Sequence, residues 1–226
     1  MVKIITVYGN MLLTAMGRTL LLAFLGLFFA CILGMIFGLL SVLKNKACNI
    51  ISNIFVFVIR GVPMIVLAFF IYFGIPYLIN NILGFGGGFT LSALQAGTVC
   101  LALNCGAYMA EIIRAGIQSV DIGQMEAGRS LGLPYWKTMR KIILPQAIRT
   151  MIPSIINQFI ITVKDTSILS VIGFPELVLA AKQVQANTFK AFETWAIVGI
   201  MYLIVITILS YLAKLVERRM NRGINR

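Results

Sequence analysis

The sequence predicts an all-α, polytopic membrane protein with five transmembrane helices. Of its 226 residues, 60% are hydrophobic and only 12% are charged, and the mean hydropathy is +0.96. A soluble domain has about 45–50% apolar and about 25% charged residues. Three long runs carry no charge, at residues 19–43, 61–110 and 194–213. Because a helix of roughly 20 apolar residues crosses a bilayer, the middle run is long enough for two spans.

We expect the five spans to form a single membrane domain that covers residues 1–226. Polar or glycine-rich segments separate the spans, and a long polar loop over residues 114–149 divides the third from the fourth. The predicted spans are residues 19–43, 54–79, 91–113, 150–172 and 192–213.

The first span carries small residues on one face. Residues 1–18 are mixed in polarity and are predicted to form an interfacial lead-in to this span. Within the span, Ala30, Gly34 and Gly38 recur every four residues, a spacing that lets two membrane helices approach closely. The alternative is that glycine is simply frequent in membrane helices.

The second span contains a proline in its first half. A short polar turn is predicted at residues 44–53, and the span that follows includes Arg60-Gly61-Val62-Pro63. Pro63 lacks a backbone donor, so we expect a helix kink at Arg60, Gly61 and Pro63. The Arg60 side chain either reaches the membrane interface or faces the interior of the bundle.

The loop at residues 114–149 is predicted to be structured. Asp121 is a good N-cap for a short helix over residues 122–131, and Gly132 is a typical C-terminal stop. A second short helix is expected over residues 134–144, ended by the proline that follows it. Such a loop is a natural docking surface for a soluble partner. The alternative is a loop that folds back on its own bundle.

Ionisable residues interrupt the fourth span. Charged side chains at membrane depth are costly, and they usually face a cavity or a partner. Lys164 and Asp165 are adjacent and so point in different directions on a helix, which means that they do not simply neutralise each other. Gln158 is a weaker candidate. The alternative is that Lys164 reaches the interface and Asp165 caps a helix break. The predicted polar pathway consists of Asn104, Lys164, Asp165, Thr166 and Ser167.

The formal net charge of +12 follows the positive-inside rule, so we expect no nucleic-acid partner but contact with membrane lipid. Most Lys and Arg residues lie in the turn after the first span, in the 114–149 loop and in the C-terminal tail. These segments share one side of a five-span protein. We therefore expect the N-terminus outside and the C-terminus in the cytoplasm.

Several chemistries are excluded by composition. The chain has no histidine, and its four cysteines form no C-x-x-C pair, so no metal site and no nucleophilic Ser-His or Cys-His pair is expected. The stretch GLPYWKT at residues 132–138 lacks the glycine that precedes the lysine of a P-loop. We expect no enzyme activity and no cofactor in this chain.

The 114–149 loop resembles the EAA signature of ABC importer permeases. It reads GQMEAGRSLGLPYWKTMRKIILPQAIR, with Glu126-Ala127-Gly128, a glycine six residues after the glutamate, and an Ile-Ile-Leu-Pro ending at residues 142–145. The second alanine of the signature is replaced by Gly128.

Further motifs resemble one branch of that family, the polar amino acid importers. The similar segments are RGVPMIVLAFFIYFG at 60–74, ALNCGAYMAEIIRAGI at 102–117, KDTSILSVIGFPEL at 164–177 and GRTL at 17–20. Three positions depart from the pattern, with Val62 for Thr, Leu67 for Gln and Cys105 for Ser. The resemblance covers almost the whole chain, and the loss of two polar groups hints at a less polar or bulkier amino acid.

The resemblance implies a multi-subunit importer in a bacterial cytoplasmic membrane. Two such permeases, identical or related, form the path, and two cytoplasmic ATP-binding subunits carry ATP and Mg²⁺. An extracytoplasmic binding protein delivers the amino acid. The ATPase-coupling residues implied are Glu126, Ala127, Gly128, Arg129 and Gly132. By position, Asp165 suits the substrate ammonium, and Lys164 or a helix N-terminus suits the carboxylate.

The main alternative is an ion-gradient-coupled secondary transporter or a channel subunit. Lys164 and Asp165 would then be coupling groups. Against this alternative, the sequence has no inverted repeat, and a structured docking loop would have no role. A membrane-embedded enzyme has little support without histidine or a carboxylate pair.

Overall fold

A computed structural model describes residues 1–43, 45–83 and 88–221, with side chains described as far as residue 215. In these residues the chain forms eight helices and no strand. Five helices, α1, α3, α4, α6 and α8 as far as Leu215, are long and apolar enough to cross a membrane, which confirms the predicted fold class. The helices are α1 Val2–Leu40, α2 Lys46–Gly61, α3 Met64–Ile82, α4 Ala93–Gln118, α5 Ile122–Ser130, α6 Tyr135–Ile172, α7 Leu177–Thr188 and α8 Ala191–Asn221.

Helix α1 packs closely on α4 through its small residues, as the four-residue spacing predicts. Ala30, Gly34 and Gly38 are all buried. A Cβ atom on Gly34 would overlap the Cβ of Met109, and one on Gly38 would lie 2.8 Å from the Cβ of Ile113. Because the residue numbers rise together along this contact, α1 and α4 are parallel.

The residues expected to form a lead-in, 1–18, belong to α1 itself, which begins at Val2. Its first turns carry a buried stripe. Ile4, Leu12, Ala15 and Met16 join a core cluster with residues of α7 and α8. The tertiary partners, rather than local hydropathy, extend this helix.

The second span differs from its prediction at both ends. The predicted polar turn at 44–53 is too long, because α2 begins at Lys46, where the side chain of Asn45 accepts a hydrogen bond of 2.9 Å from the backbone of Ala47. Lys44 lies outside the described residues. At the other end α3 continues through two wide π-helical turns to Ile82.

The predicted kink is a complete break between two helices. Helix α2 ends at Gly61 and α3 begins at Met64. Between them Val62 is extended, with φ −101° and ψ 129°, the conformation favoured before proline. Pro63 then stands at the N-cap of α3 with a φ of −56°, where its missing N–H is not needed.

Helix α6 joins two elements that were expected to be separate. A π-helical turn at Met139–Ile143 precedes Pro145, which therefore falls in the first turn of the following α-helical segment and needs no donor. The expected end of a helix before Pro145 is wrong for this reason. The predicted interruption at Lys164-Asp165 is a change of helix type, because α6 tightens into a 3₁₀ helix at Thr166.

Helix α4 stands between α1 and the elements that line the functional region. A Cβ atom on Gly97 would lie 3.2 Å from Leu169 of α6, and Gly116 lies against Met151. The residue numbers run in opposite senses, so α6 is antiparallel to α4. The end of the bundle at which α4 finishes, α6 begins and α5 lies is called the loop end below.

Helix α7 was not predicted, and it begins at a buried carboxylate. Glu176 is fully buried, and its oxygens accept hydrogen bonds from the backbone of Val178 and Leu179 at 2.8 and 2.7 Å. The hydroxyl of Tyr202 in α8 donates to the same carboxylate at 3.4 Å. Burial raises the pKa of the Glu176 carboxyl, although these hydrogen bonds and nearby Lys182 oppose the shift.

We expect the substitution Gly34→Ala to destabilise the α1–α4 contact. The added Cβ would overlap Met109, so the helices must separate, and overpacking of this kind costs about 1–3 kcal/mol. Gly17→Ala is the matched control on the same helix, because nothing lies within 4 Å of a Cβ there. Thermal melting of the purified protein in detergent checks this expectation. Equal melting temperatures for the two variants would contradict it.

We expect Glu176 to make stability fall as pH rises. Its pKa is raised above the ordinary 4.5, so the folded chain holds this proton more tightly than the unfolded chain. The stabilisation is therefore complete below that ordinary value and is lost as pH rises through the folded pKa. Between about pH 5 and about pH 8, the melting temperature of the wild type should fall more than that of Glu176→Gln. Glu126→Gln, at an exposed carboxyl, should follow the wild type, and parallel curves for all three proteins would refute the expectation.

Candidate functional site

A cavity of about 510 Å³ lies where the break between α2 and α3 faces α4 and α6. This volume is within the range of about 300–1,000 Å³ that is typical of small-molecule sites. The residues that line it are Arg60, Gly61, Val62, Pro63, Met64, Asn104, Tyr108, Gln158, Ile161, Asp165 and Ile168.

The helix break forms one wall of this cavity. Irregular backbone is tolerated at membrane depth only where protein or a polar cavity surrounds it. Two weak contacts hold the start of α3 against α4. The thiol of Cys100 donates to the backbone carbonyl of Met64 at 3.8 Å, and the amide of Asn104 lies 3.8 Å from the Met64 sulfur. The break is thus fixed by α4 rather than by local sequence alone.

Asp165 contributes a carboxylate to the opposite wall. The residue is half-buried at the last α-helical position of α6. In the part of the chain that the structure describes, no group donates a hydrogen bond to this carboxylate. An acceptor of this kind in a membrane cavity suits a cationic group of a ligand.

Arg60 contributes the opposite charge. Its guanidinium forms an ion pair with Glu111 of α4 and lies 4.7 Å from the centre of the Tyr108 ring. The two contacts orient the side chain at the end of α2, where α2 approaches α4. The sequence left open whether Arg60 reaches the membrane interface or faces the interior of the bundle. In the structure its guanidinium faces the bundle.

The predicted pathway residues divide into two groups. Asn104 and Asp165 line the cavity, together with the predicted break residues Arg60, Gly61 and Pro63. The other three lie outside it. The side chain of Lys164 is exposed, and adjacent positions on a helix point about 100° apart, so Lys164 and Asp165 diverge.

Thr166 and Ser167 follow Asp165 in the 3₁₀ segment of α6, and both bond to their own helix. Thr166 is fully buried and donates to the carbonyl of Val163 at 2.8 Å, while Ser167 donates to the carbonyl of Lys164 at 2.7 Å. Their hydroxyls are engaged by the backbone and do not line the cavity.

Tyr108 and Glu111, beside the cavity, were not predicted from the sequence to have a role. Gln158 was predicted only as a weaker candidate. Tyr108 and Glu111 lie three residues apart, on one face of α4. Arg60 and Glu111 carry opposite charges in consecutive apolar segments, and this pattern could have predicted that they pair. Gln158, the weaker candidate, is buried and lines the cavity.

The loop end carries a second candidate region on α5. The Asp121 carboxylate accepts a hydrogen bond of 2.6 Å from the backbone of Gly123, so it is the predicted N-cap. Helix α5 ends before Gly132, whose φ of +79° is the left-handed conformation that glycine adopts readily. The short helix and its stop are therefore as predicted.

Gly128 fits α5 against the start of α6. It is buried, and a Cβ there would lie 2.5 Å from Cγ2 of Thr138. This close approach explains why glycine replaces the second alanine of the signature. Glu126, Ala127 and Arg129 are exposed on the outer side. Arg129 donates to the carbonyl of Leu133 at 3.3 Å and forms no ion pair with Glu126.

Large apolar side chains surround the exposed face of α5. Ile122 is 75% exposed, Leu131 is 82% exposed and Trp136 is 67% exposed. These residues lie at the two ends of α5 and at the start of α6. Exposed apolar residues grouped with charged ones are typical of a protein interaction surface. We call this group, with Glu126, Ala127 and Arg129, the α5 surface.

The chain resembles known transport proteins over almost its whole length. Residues 30–222 match the family described as binding-protein-dependent transport system inner membrane component. The chain is 37% identical over 210 residues to the glutamine transport system permease protein GlnP of Escherichia coli. The match covers 93% of each chain.

Two solved structures have a similar fold. An amino acid ABC transporter crystallised with histidines superposes with a TM-score of 0.84 and 37% identity, covering 94% of this chain and 95% of that one. The inward-facing methionine transporter MetNI gives a TM-score of 0.78 at 20% identity, covering 94% and 97%, and at that identity it supports the fold alone.

These matches confirm the resemblance to polar amino acid ABC importer permeases. They also decide against the ion-gradient-coupled transporter and the channel. The family consists of transmembrane components rather than of catalytic subunits, and its members are multi-pass proteins of the inner membrane. The chain belongs to the family of binding-protein-dependent transport system inner membrane components.

Proposed function

We propose that this permease carries an amino acid through the cavity beside the α2–α3 break. The observation that carries the proposal is the Asp165 carboxylate, which faces a membrane cavity without a hydrogen-bond donor in the described part of the chain. A carboxylate so placed attracts the ammonium group that every amino acid carries. Intramembrane ionisable residues are rare unless they serve a pathway.

The chemistry of the cavity favours a polar, uncharged amino acid. The amides of Asn104 and Gln158 offer both donors and acceptors to a substrate side chain. Glutamine, which the E. coli relative transports according to its name, is such a substrate. The expectation of a less polar or bulkier amino acid rested on Val62 and Leu67. Only Val62 lines the cavity, where it removes one hydroxyl, and Leu67 is buried in a core cluster on α3, so this proposal departs from that expectation.

Transport is proposed to depend on partner subunits. A second permease, identical or related, completes the path, and two cytoplasmic subunits bind ATP and Mg²⁺. An extracytoplasmic binding protein delivers the amino acid. The α5 surface receives the ATPase, because it presents Glu126, Ala127 and Arg129 on a helix that is packed through Gly128 onto α6. Lipid covers the exposed apolar side chains of α8.

The charge distribution sets the proposed orientation. Most of the 19 Lys and Arg residues lie in the segment after α1, in the segment from α4 to α6 and in the tail. By the positive-inside rule the loop end is cytoplasmic. The N-terminus is then outside, and the C-terminus is cytoplasmic with the ATPases.

We expect Glu126→Arg to weaken ATPase docking. The charge reversal lies at the centre of the α5 surface and disturbs no ion pair of the described chain. A loss of about 1.4 kcal/mol is a tenfold loss of affinity, and we expect at least this loss because Glu126 lies at the centre of the surface, where the residues that dominate binding cluster. Co-purification of the tagged permease from native membranes in mild detergent, with quantification of the ATPase, measures this loss.

Lys190→Glu is the matched control for the docking experiment, since it reverses an exposed charge outside the α5 surface. It should retain the ATPase at the wild-type level. If both variants retain it equally, then the α5 surface is not the docking site. If the wild type itself brings down no nucleotide-binding subunit, the partner proposal fails.

We expect Asp165→Asn to abolish uptake without disturbing assembly. Removing one partner of a buried charge pair costs about 2–5 kcal/mol, a loss of about 30-fold or more in affinity. Uptake of radiolabelled L-glutamine is measured in proteoliposomes that contain the whole complex, with ATP inside and the binding protein outside.

Lys164→Gln is the control on the neighbouring residue. Because Lys164 is exposed and does not line the cavity, this variant should transport as the wild type does. The opposite result, with Lys164→Gln inactive and Asp165→Asn active, would indicate that Lys164, and not Asp165, contacts the substrate. Full activity of Asp165→Asn would overturn the role of the cavity carboxylate.

A further inference from the structure

We propose that Arg60 binds the α-carboxylate of the substrate and that Glu111 is its partner when the cavity is empty. This inference rests on the proposed function and deepens it, because it assigns the second charge of the amino acid. The sequence placed Lys164 or a helix N-terminus in that role. Lys164 is exposed outside the cavity, whereas Arg60 lines it.

The orientation of Arg60 leaves part of its guanidinium free. One terminal nitrogen pairs with the Glu111 carboxylate, and the planar group lies 4.7 Å from the centre of the Tyr108 ring. In the described residues no other acceptor bonds to this guanidinium. An arginine carries five N–H donors in a planar fork that matches a carboxylate, so donors remain for a second anion.

The two walls of the cavity present opposite charges. Arg60 stands at the α2–α3 break, and Asp165 stands on α6, with the amide of Asn104 on α4 between the elements. An amino acid zwitterion also carries one positive and one negative group. A buried ion is stable only when its partner charge and its hydrogen bonds are supplied, and a cavity with both signs supplies them for both ends.

Glu111 has a different place from Arg60. The two side chains are similarly exposed, at 36% for Arg60 and 43% for Glu111, but only Arg60 lines the cavity. Glu111 therefore does not meet the substrate but balances the charge of Arg60 while no carboxylate is bound. Two carboxylates beside one guanidinium repel each other, so Glu111 weakens the attraction of Arg60 for the substrate carboxylate and favours release of the amino acid from the cavity.

This repulsion predicts opposite effects of two variants on substrate binding. Arg60→Gln should raise the dissociation constant of L-glutamine at least tenfold, because the carboxylate loses its cation. Glu111→Gln should lower that constant several-fold and slow uptake, because Arg60 then attracts the substrate without a second carboxylate beside it. If the Arg60–Glu111 pair were only structural, the two variants would change binding in the same direction.

The experiment measures equilibrium binding of L-glutamine to the purified permease–ATPase complex in detergent, without the binding protein. Each protein is also tested with the α-carboxamide of glutamine, which keeps the ammonium but lacks the carboxylate. The wild type should bind this amide at least tenfold more weakly than L-glutamine. In Arg60→Gln the two ligands should bind alike. A tenfold preference for L-glutamine that survives in Arg60→Gln overturns the inference.

A further variant keeps the test decisive if Arg60→Gln does not assemble. Arg60→Lys retains the charge but loses the planar fork, so it should show a reduced but measurable preference for the carboxylate. An unchanged preference in Arg60→Lys, together with unchanged binding in Glu111→Gln, would also refute the proposal. If the wild-type complex binds no L-glutamine, the proposed substrate class has failed, which is distinct from failure of the Arg60 assignment.

Discussion

The close contact of α1 with α4 is the interaction on which the rest of the bundle depends. In a bilayer, helices gain little from burying apolar surface, so association relies on close packing. Here Gly26, Ala30, Gly34 and Gly38 allow that packing, and a Cβ on Gly26 would lie 2.6 Å from the Cβ of Leu101. With α1 on one side, α4 presents its other faces to α2, α3 and α6. The cavity therefore forms around a helix that is already fixed.

Hydropathy was sufficient for the number and order of the spans, because the absence of charge over 20 residues has few other causes. Helix boundaries were less accessible from sequence. The early start of α1 depends on contacts of Ile4 and Leu12 with α7 and α8, which local hydropathy does not contain. Helix α7 was not predicted, although its buried residues Leu177, Ala180, Ala181 and Val184 follow helical spacing behind the capping Glu176.

The candidate site was only partly predictable from the sequence. An aspartate in an apolar helix is conspicuous, and the sequence placed Asp165 in a pathway. The sequence separated Lys164 from Asp165, but it did not show that Thr166 and Ser167 lie outside the cavity, because the helix changes from α to 3₁₀ directly after Asp165. Arg60 was singled out with the proline, but its facing depends on Glu111 and Tyr108, about fifty residues farther along the chain. Contacts between distant segments set the charge partners, and no local pattern encodes them.

The length of α6 has a mechanical consequence. Helix α6 runs without a gap from Tyr135, beside α5, to Ile172 beyond the cavity, and Asp165 lies 30 positions from its foot. At about 1.5 Å per residue, this arm is about 45 Å long. A tilt of about 10° at the foot displaces the carboxylate by about 8 Å, which exceeds the reach of any hydrogen bond. The π turn at Met139–Ile143 lies near the foot, and Pro153 lies farther along the helix, so the cavity end moves much farther than the foot only when the helix does not bend at these two places.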